Sequence, residues 1–269
     1  MLEVLGYLMA ALVGISLGLI GGGGSILTVP ILVYFMGVNP ILATSYSLFI
    51  VGFTSLVGAY NNYRKGLVNI KIALLFGVSS ITTVFITRKI LLPLIPSVLF
   101  DAGDFQVTQA MATMVIFGLL MLLASVTMIN DKQADIKVGE LTALNKFPVF
   151  KLLIFSIVVG LATGFLGAGG GFLLIPALVL ILKMPMKNAI GTSLLIIALN
   201  SLIGFTGDVG HFDFNWKFLI TITLIAVAGI FAGGYLAKNI DGYKLKKGFG
   251  WFVLIMGFYI IIKEVFFNR

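Results

Sequence analysis

Apolar stretches long enough to cross a membrane follow one another along the whole chain, and no other feature limits the available folds as much. A hydrocarbon core of ~30 Å takes about 20 helical residues to cross. Runs such as 41–60 and 108–129 meet that length and contain no acidic or basic residue. Of the 269 residues, 59% are hydrophobic and only 10% charged, whereas a soluble domain has about 25% charged residues. Lipid is therefore the expected solvent for most of the chain, and no soluble domain separates the apolar runs.

The formal charge of +8 does not point to nucleic acid. The Lys and Arg residues stand in short clusters between apolar segments and form no basic stripe interleaved with aromatics. Cysteine is absent, which excludes disulfides and thiolate metal sites. The single histidine, His211, has no partner at metal-ligand spacing. The sequence calls for no metal, cofactor or catalytic residue. The first apolar segment carries Glu3 where a signal peptide has a basic region, and an equivalent segment recurs near residue 150, so it belongs to the fold.

The stretch "GLIGGGGSILTVP" (18–30) breaks the first apolar run with four consecutive glycines. Displacing the sequence by 146 residues aligns "GISLGLIGGGGSILTVPILV" (14–33) with "GLATGFLGAGGGFLLIPALV" (160–179) without a gap. From 14 to 58, 16 of the 45 positions are identical, too many for shared apolar composition alone. The chain thus reads as two copies of one unit. The expected divisions are a first transmembrane repeat at 1–130, a cytoplasmic linker at 131–149 and a second transmembrane repeat at 150–269.

Residues 4–37 as one helix would extend about 50 Å at ~1.5 Å per residue, too long for one crossing. If the glycines instead form the tip of a hairpin that enters and returns, 13 of the 18 Lys and Arg residues fall on one face and 5, including Arg88 and Lys89, on the other. A single crossing divides them 10 against 8. The positive-inside rule favours the hairpin and assigns the basic face to the cytoplasm. The expected elements are 4–20, 25–37, 41–60, 68–90 and 108–129, then 150–166, 172–183, 188–206, 217–236 and 248–264. Five elements per copy is an odd number, so the second copy enters from the opposite face. The expected fold is an all-α polytopic membrane protein of two inverted repeats, each opened by a Gly-rich broken helical hairpin, with both termini outside. Secondary transporters recurrently use this plan, with the site between the copies.

A broken helix leaves backbone N–H groups that need a partner inside a membrane. Pro30 and Pro176 suit the first turn of the returning half-helices, whose N-termini favour an anion. This makes Gly21, Gly22, Gly23, Gly24, Ser25, Gly167, Gly169, Gly170 and Gly171 candidates for substrate binding. Gly14, Gly18, Gly160 and Gly164 fit close helix packing. Neither glycine cluster has the spacing of a nucleotide loop. Ser45 and Ser47 in "ATSYSL", with Thr192 and Ser193 in "AIGTSLL", can bond a substrate oxygen or cap a helix. Asn200 can contact substrate or bridge two helices. No ionisable residue falls in the middle of an apolar segment, so binding is expected to use amides, dipoles and hydroxyls. Arg64, Asp208 and His211 are candidates for gating or proton coupling, with a solvated loop as the alternative for Asp208 and His211 in "GDVGHFDF".

The paired "GLIGGGGSILTVPIL" and "GFLGAGGGFLLIPAL", each followed by Ala-x-x-x-Ser-Leu, resemble the TauE/SafE family of sulfite and sulfonate exporters over nearly the whole chain. The resemblance implies a sulfur-containing anion as substrate: sulfite, thiosulfate, taurine, sulfoacetate or another sulfonate. It assigns the family's loops to Gly21–Ser25 and Gly167–Gly171. Arg64 in "YRKGL" matches a basic residue common in the family, while the second half has "VGHFDF" at that place. The family includes importers as well as exporters.

The expected protein is a multi-pass transporter of the inner membrane, not an enzyme. It has a small organosulfur anion as partner, H+ or Na+ as the candidate coupling ions, and an open oligomeric state. A channel using the same loops is the alternative, and a membrane-embedded enzyme ranks last.

Overall fold

The computed structural model describes residues 2–101, 106–130, 149–180, 182–236 and 242–267. Helix α1 (Leu2–Ile20) runs into a 3-10 turn at Gly21–Leu27, then α2 (Thr28–Pro30) and a π turn at Ile31–Phe35. Next come α3 (Pro40–Arg64) and α4 (Ile70–Ile86), the latter continuing through a π turn, Thr87–Leu91, into α5 (Leu92–Leu94). After α6 (Gln109–Asn130) follow α7 (Val149–Leu166), α8 (Gly171–Leu180), α9 (Met186–Asp208), α10 (Trp216–Leu236) and α11 (Gly242–Ile262), which ends in a π turn at Lys263–Phe267. Among the described residues, 6 helical runs are long and apolar enough to cross a membrane: α3, Ile70–Leu94, α6, α9, α10 and Lys247–Phe266. The protein is an all-α polytopic membrane protein. Residues 131–148 of the expected linker lie outside the described residues.

The sequence gives no warning of a small ribbon in which β1 (Val98–Asp101) pairs antiparallel with β2 (Gln106–Thr108). The helix ends at Leu94, ahead of Pro96, which cannot supply a helical N–H. The exposed residues that follow are then free to pair locally.

Asparagines open several long helices. The Asn39 side chain accepts from the Ile41 N–H at 3.0 Å, that of Asn69 from Ile72 at 3.1 Å and that of Asn215 from Phe218 at 3.1 Å. This satisfies donors at the start of α3, α4 and α10 that have no partner inside the helix. Pro40 and Met186 open α3 and α9, and Ile70 and Trp216 open α4 and α10. Both pairs are separated by the 146 residues of the sequence repeat.

The first hairpin is visible in its contacts. Gly24 lies against the backbone of Ser16 and Leu17, and the Ser16 hydroxyl donates to the Gly24 carbonyl at 3.4 Å. The returning helical segment brings Met36 beside Gly6. In the second copy Gly170 lies against Thr163 and Val159 of α7. One expectation fails here: Pro176 is inside α8, not in its first turn. Without its N–H, the Phe172 carbonyl loses its ordinary helical donor.

The main packing joins the two halves. α1 packs on α10, α4 on α7 and α9, α3 on α9 and α10, and α6 on α11. Glycine permits these close approaches. A methyl group on Gly14 would overlap the Ala226 carbonyl, one on Gly233 that of Ile15, and one on Gly160 would press on Ser80 and Thr83. The packing role expected for Gly14, Gly18, Gly160 and Gly164 matches these contacts. α3 and α9 run antiparallel, since Gly204 meets Leu48, Gly52 meets Leu202, and Gly191 meets Asn62. They are also the two most deeply buried spans.

Candidate functional site

Both glycine loops lie along the α3–α9 pair. Gly21 packs on Ile190, while Gly22 and Gly169 pack on Ile197, and Gly169 also meets Ser201. Ile190, Ile197 and Ser201 recur at helical spacing, so one face of α9 receives both loops. On α3, Thr44 receives Gly167 and Val51 receives Gly169. The loops meet at Gly22 and Gly171, whose backbones touch with no room for a side chain. Gly21, Gly167, Gly169 and Gly170 have φ between +67° and +69°, a region open mainly to glycine. Gly23 and Ser25 belong to the same first turn, where the Ser25 hydroxyl donates to the Gly22 carbonyl at 2.8 Å.

Several buried hydroxyls around these loops are unused. The Oγ atoms of Ser47, Ser55 and Ser201, with Oγ1 of Thr163, have no hydrogen-bond partner among the described residues. Ser201 Oγ faces Gly169 and Thr163 Oγ1 faces Gly170. Ser47 and Ser55 share the helical face of α3 that carries Thr44 and Val51. Such orphaned groups are uncommon in a folded interior. Ser55, Ser201 and Thr163 were not among the candidates from sequence. The identity of Ser55 and Ser201 across the repeat was the available signal, but serine is too common in membrane helices to stand out by it.

Other candidates have structural partners. The Thr192 hydroxyl accepts the Asn69 N–H at 2.9 Å, and the Tyr46 hydroxyl accepts the Asn215 N–H at 2.9 Å, the repeat-related pair. Ser193 donates to the Ile190 carbonyl at 2.9 Å within its own helix. Asn200 Nδ2 donates across helices to the Ser80 hydroxyl, and its Oδ1 has no partner among the described residues. Arg64 is exposed at the end of α3, and His211 is exposed in the turn after α9, where its N–H donates to the Asp208 carbonyl. Neither is brought to the loops.

The largest departure from the sequence reading is a buried ion pair. Arg88, expected among the charges of the outer face, is buried: it lies within the apolar run Ile70–Leu94 and is 1% exposed. Its Nη1 donates to Asp208 Oδ2 at 3.0 Å and to Ser45 Oγ at 3.3 Å. Asp208, the last residue of α9, is 1% exposed, so it does not belong to a solvated loop. Neither residue stands in the middle of its apolar run, yet both are buried, because the helix continues past 90 and Gly207 lets α9 approach the Arg88 Cβ. The end of α7 and the start of the second loop reach the adjoining residues: Gly164 packs on Thr87, next to Arg88, and Gly167 on Thr44, next to Ser45.

A family model described as "Sulfite exporter TauE/SafE" matches residues 7–260. A Xylella fastidiosa (strain Temecula1) protein named "Probable membrane transporter protein" is 31% identical over 93% of this chain and 91% of its own length. YunE of Bacillus subtilis (strain 168), named in the same words, is 32% identical over 97% of this chain and 94% of its own. No solved structure matches the chain.

Proposed function

The chain belongs to the TauE/SafE sulfite exporter family of membrane transporters, and on that premise we propose that it exports a small organosulfur anion across the cytoplasmic membrane by alternating access. The two repeats are inverted, their glycine loops enter from opposite faces, and the anion is held where the loops meet. The observation that carries this reading is the backbone contact of Gly22 with Gly171, with the Ser201 hydroxyl, which has no partner among the described residues, beside Gly169 of the second loop. Glycine-lined backbone and free hydroxyls recognise an oxyanion without a matching net charge.

The antiparallel course of α3 and α9 supports inversion, because repeat-related helices that run in opposite directions cross the membrane in opposite senses. The loops abut, so an anion enters only when they part, and movement of one half against the other exposes the site to one face at a time. The same closure favours a carrier over an open channel. With the inside negative, a monoanion leaves downhill by ~2.3 kcal/mol per 100 mV, which favours export and leaves H+ or Na+ coupling as an addition.

The test uses purified protein. Its thermal stability in detergent is measured with sulfite, thiosulfate, taurine, sulfoacetate, sulfate and matched carboxylates, since selective ligands stabilise the native state. Flux of any stabilising anion is then followed in proteoliposomes. Selective stabilisation and flux by an organosulfur anion, both lost in Ser201→Ala, support the reading. Normal flux by Ser201→Ala and Gly169→Ala removes the loops from the site.

A further inference from the structure

The Arg88 guanidinium has more donors than the protein uses. Its Nη1 serves both Asp208 and Ser45, while Nε and Nη2 are buried without a hydrogen-bond partner among the described residues. Nε and Nη2 share one edge of the planar group and present two parallel N–H bonds. That edge matches two oxygens of one sulfonate, carboxylate or phosphate. Asp208 approaches through Nη1, outside the edge. A purely structural pair gains most when the carboxylate spans two nitrogens, and a buried charge is tolerated only when its remaining protons are also satisfied.

The position suits a ligand site. Arg88 lies in the π turn Thr87–Leu91, an irregularity frequent at functional sites. Gly167 of the second loop packs on Thr44, next to Ser45, and Gly164 at the end of α7 packs on Thr87, next to Arg88.

The geometry points to an oxyanion subsite on the Nε–Nη2 edge of Arg88, separate from the loop contact, which takes the sulfite or sulfonate group of the transported anion as it passes to or from that contact, with Asp208 as the resident counter-ion. The inference rests on the organosulfur reading above. Asp208 has a second consequence. It neutralises the arginine when no anion is bound, so the incoming anion meets a neutral pair and not a bare cation, and binding stays weak enough for release. Removing the Asp208 charge should therefore tighten binding.

The test compares wild type with Arg88→Lys, Asp208→Asn and the double variant Arg88→Gln/Asp208→Asn. The double variant leaves no lone buried charge and so protects the fold. Binding of sulfite, methanesulfonate and sulfoacetate is read from ligand-dependent thermal shifts in detergent, alongside flux in proteoliposomes. Arg88→Lys keeps the charge but loses the paired donors, and its affinity should fall at least about ten-fold. Asp208→Asn should bind about ten-fold more tightly and move the anion more slowly, and the double variant should show no shift. Wild-type flux together with unchanged affinity in Arg88→Lys, or in the double variant, overturns the subsite while leaving the transporter reading intact. If wild type neither binds nor moves any of the three anions, the organosulfur reading falls and this inference with it.

Discussion

The backbone of Gly171 packs so closely on that of Gly22 that a methyl group on Gly171 would overlap the Gly22 carbonyl oxygen. The contact joins residues from the two halves of the chain at the meeting point of the glycine loops. A side chain on either residue must separate the loops or displace α9, because Ile197 closes the space on the far side of Gly22.

Gly171→Ala should therefore lower thermal stability by an amount equivalent to about 1–3 kcal/mol, with Gly22→Ala similar. Gly234→Ala is the control. It lies in α10 with nothing near its added methyl, and in a helix the change should be neutral or stabilising by up to about 1 kcal/mol. Equal melting temperatures for all three variants would show that the loops have room to spare.

Hydroxyls with partners and hydroxyls without should behave oppositely. Thr192→Val and Tyr46→Phe remove the acceptors of the Asn69 and Asn215 N–H groups, and each should cost about 1–3 kcal/mol. Ser47→Ala and Ser55→Ala remove hydroxyls with no partner among the described residues, so stability without ligand should hardly change. Flux should fall in the serine variants. Thermal unfolding and proteoliposome flux on all four variants check both halves of this contrast.

The buried ion pair should be costly to break from one side. Asp208→Ala leaves the Arg88 cation buried alone and should destabilise by about 3–5 kcal/mol, whereas replacing both residues with apolar ones of similar volume should cost far less. A single variant as stable as wild type would mean that water reaches the guanidinium.

The absence of native cysteine makes single-cysteine labelling a clean test of inversion. Tyr63, Leu99 and Met186 are all exposed. Cysteines at Tyr63 and Met186 should react from the same side of the membrane, and one at Leu99 from the other. If the first apolar run of each copy crossed only once, Tyr63 and Met186 would label from opposite sides.

Much of the fold was legible because the solvent imposes it. Each expected helical element lies within a helix or helical turn of the structure, with ends displaced by a few residues. The break at Gly21–Gly24 was legible as a hairpin from length and charge, and Met36 beside Gly6 bears this out. Pro176 misled because proline fits a first turn and a kinked interior equally well, and only the start of α8 at Gly171 separates the two. Thr192 and Ser47 look alike in sequence, yet one caps a neighbouring segment and the other has no partner among the described residues. That difference depends on which backbone N–H lies across the helix interface.

By itself the sequence determined that the chain lies in lipid, that its helical elements are repeated, and where each copy is broken, because these follow from segment length, composition and internal similarity. Only the tertiary structure decided that Arg88 and Asp208 are interior groups. Read along the chain, each stands near the end of an apolar run, where a charge ordinarily reaches water. Their burial depends on residues far away in sequence: the approach of α9 at Gly207, the hydroxyl of Ser45 and the packing of α7 at Gly164 on Thr87. An ion pair is stable in a low-dielectric interior only when both charges arrive together, and it is the packing of the two halves that brings them there.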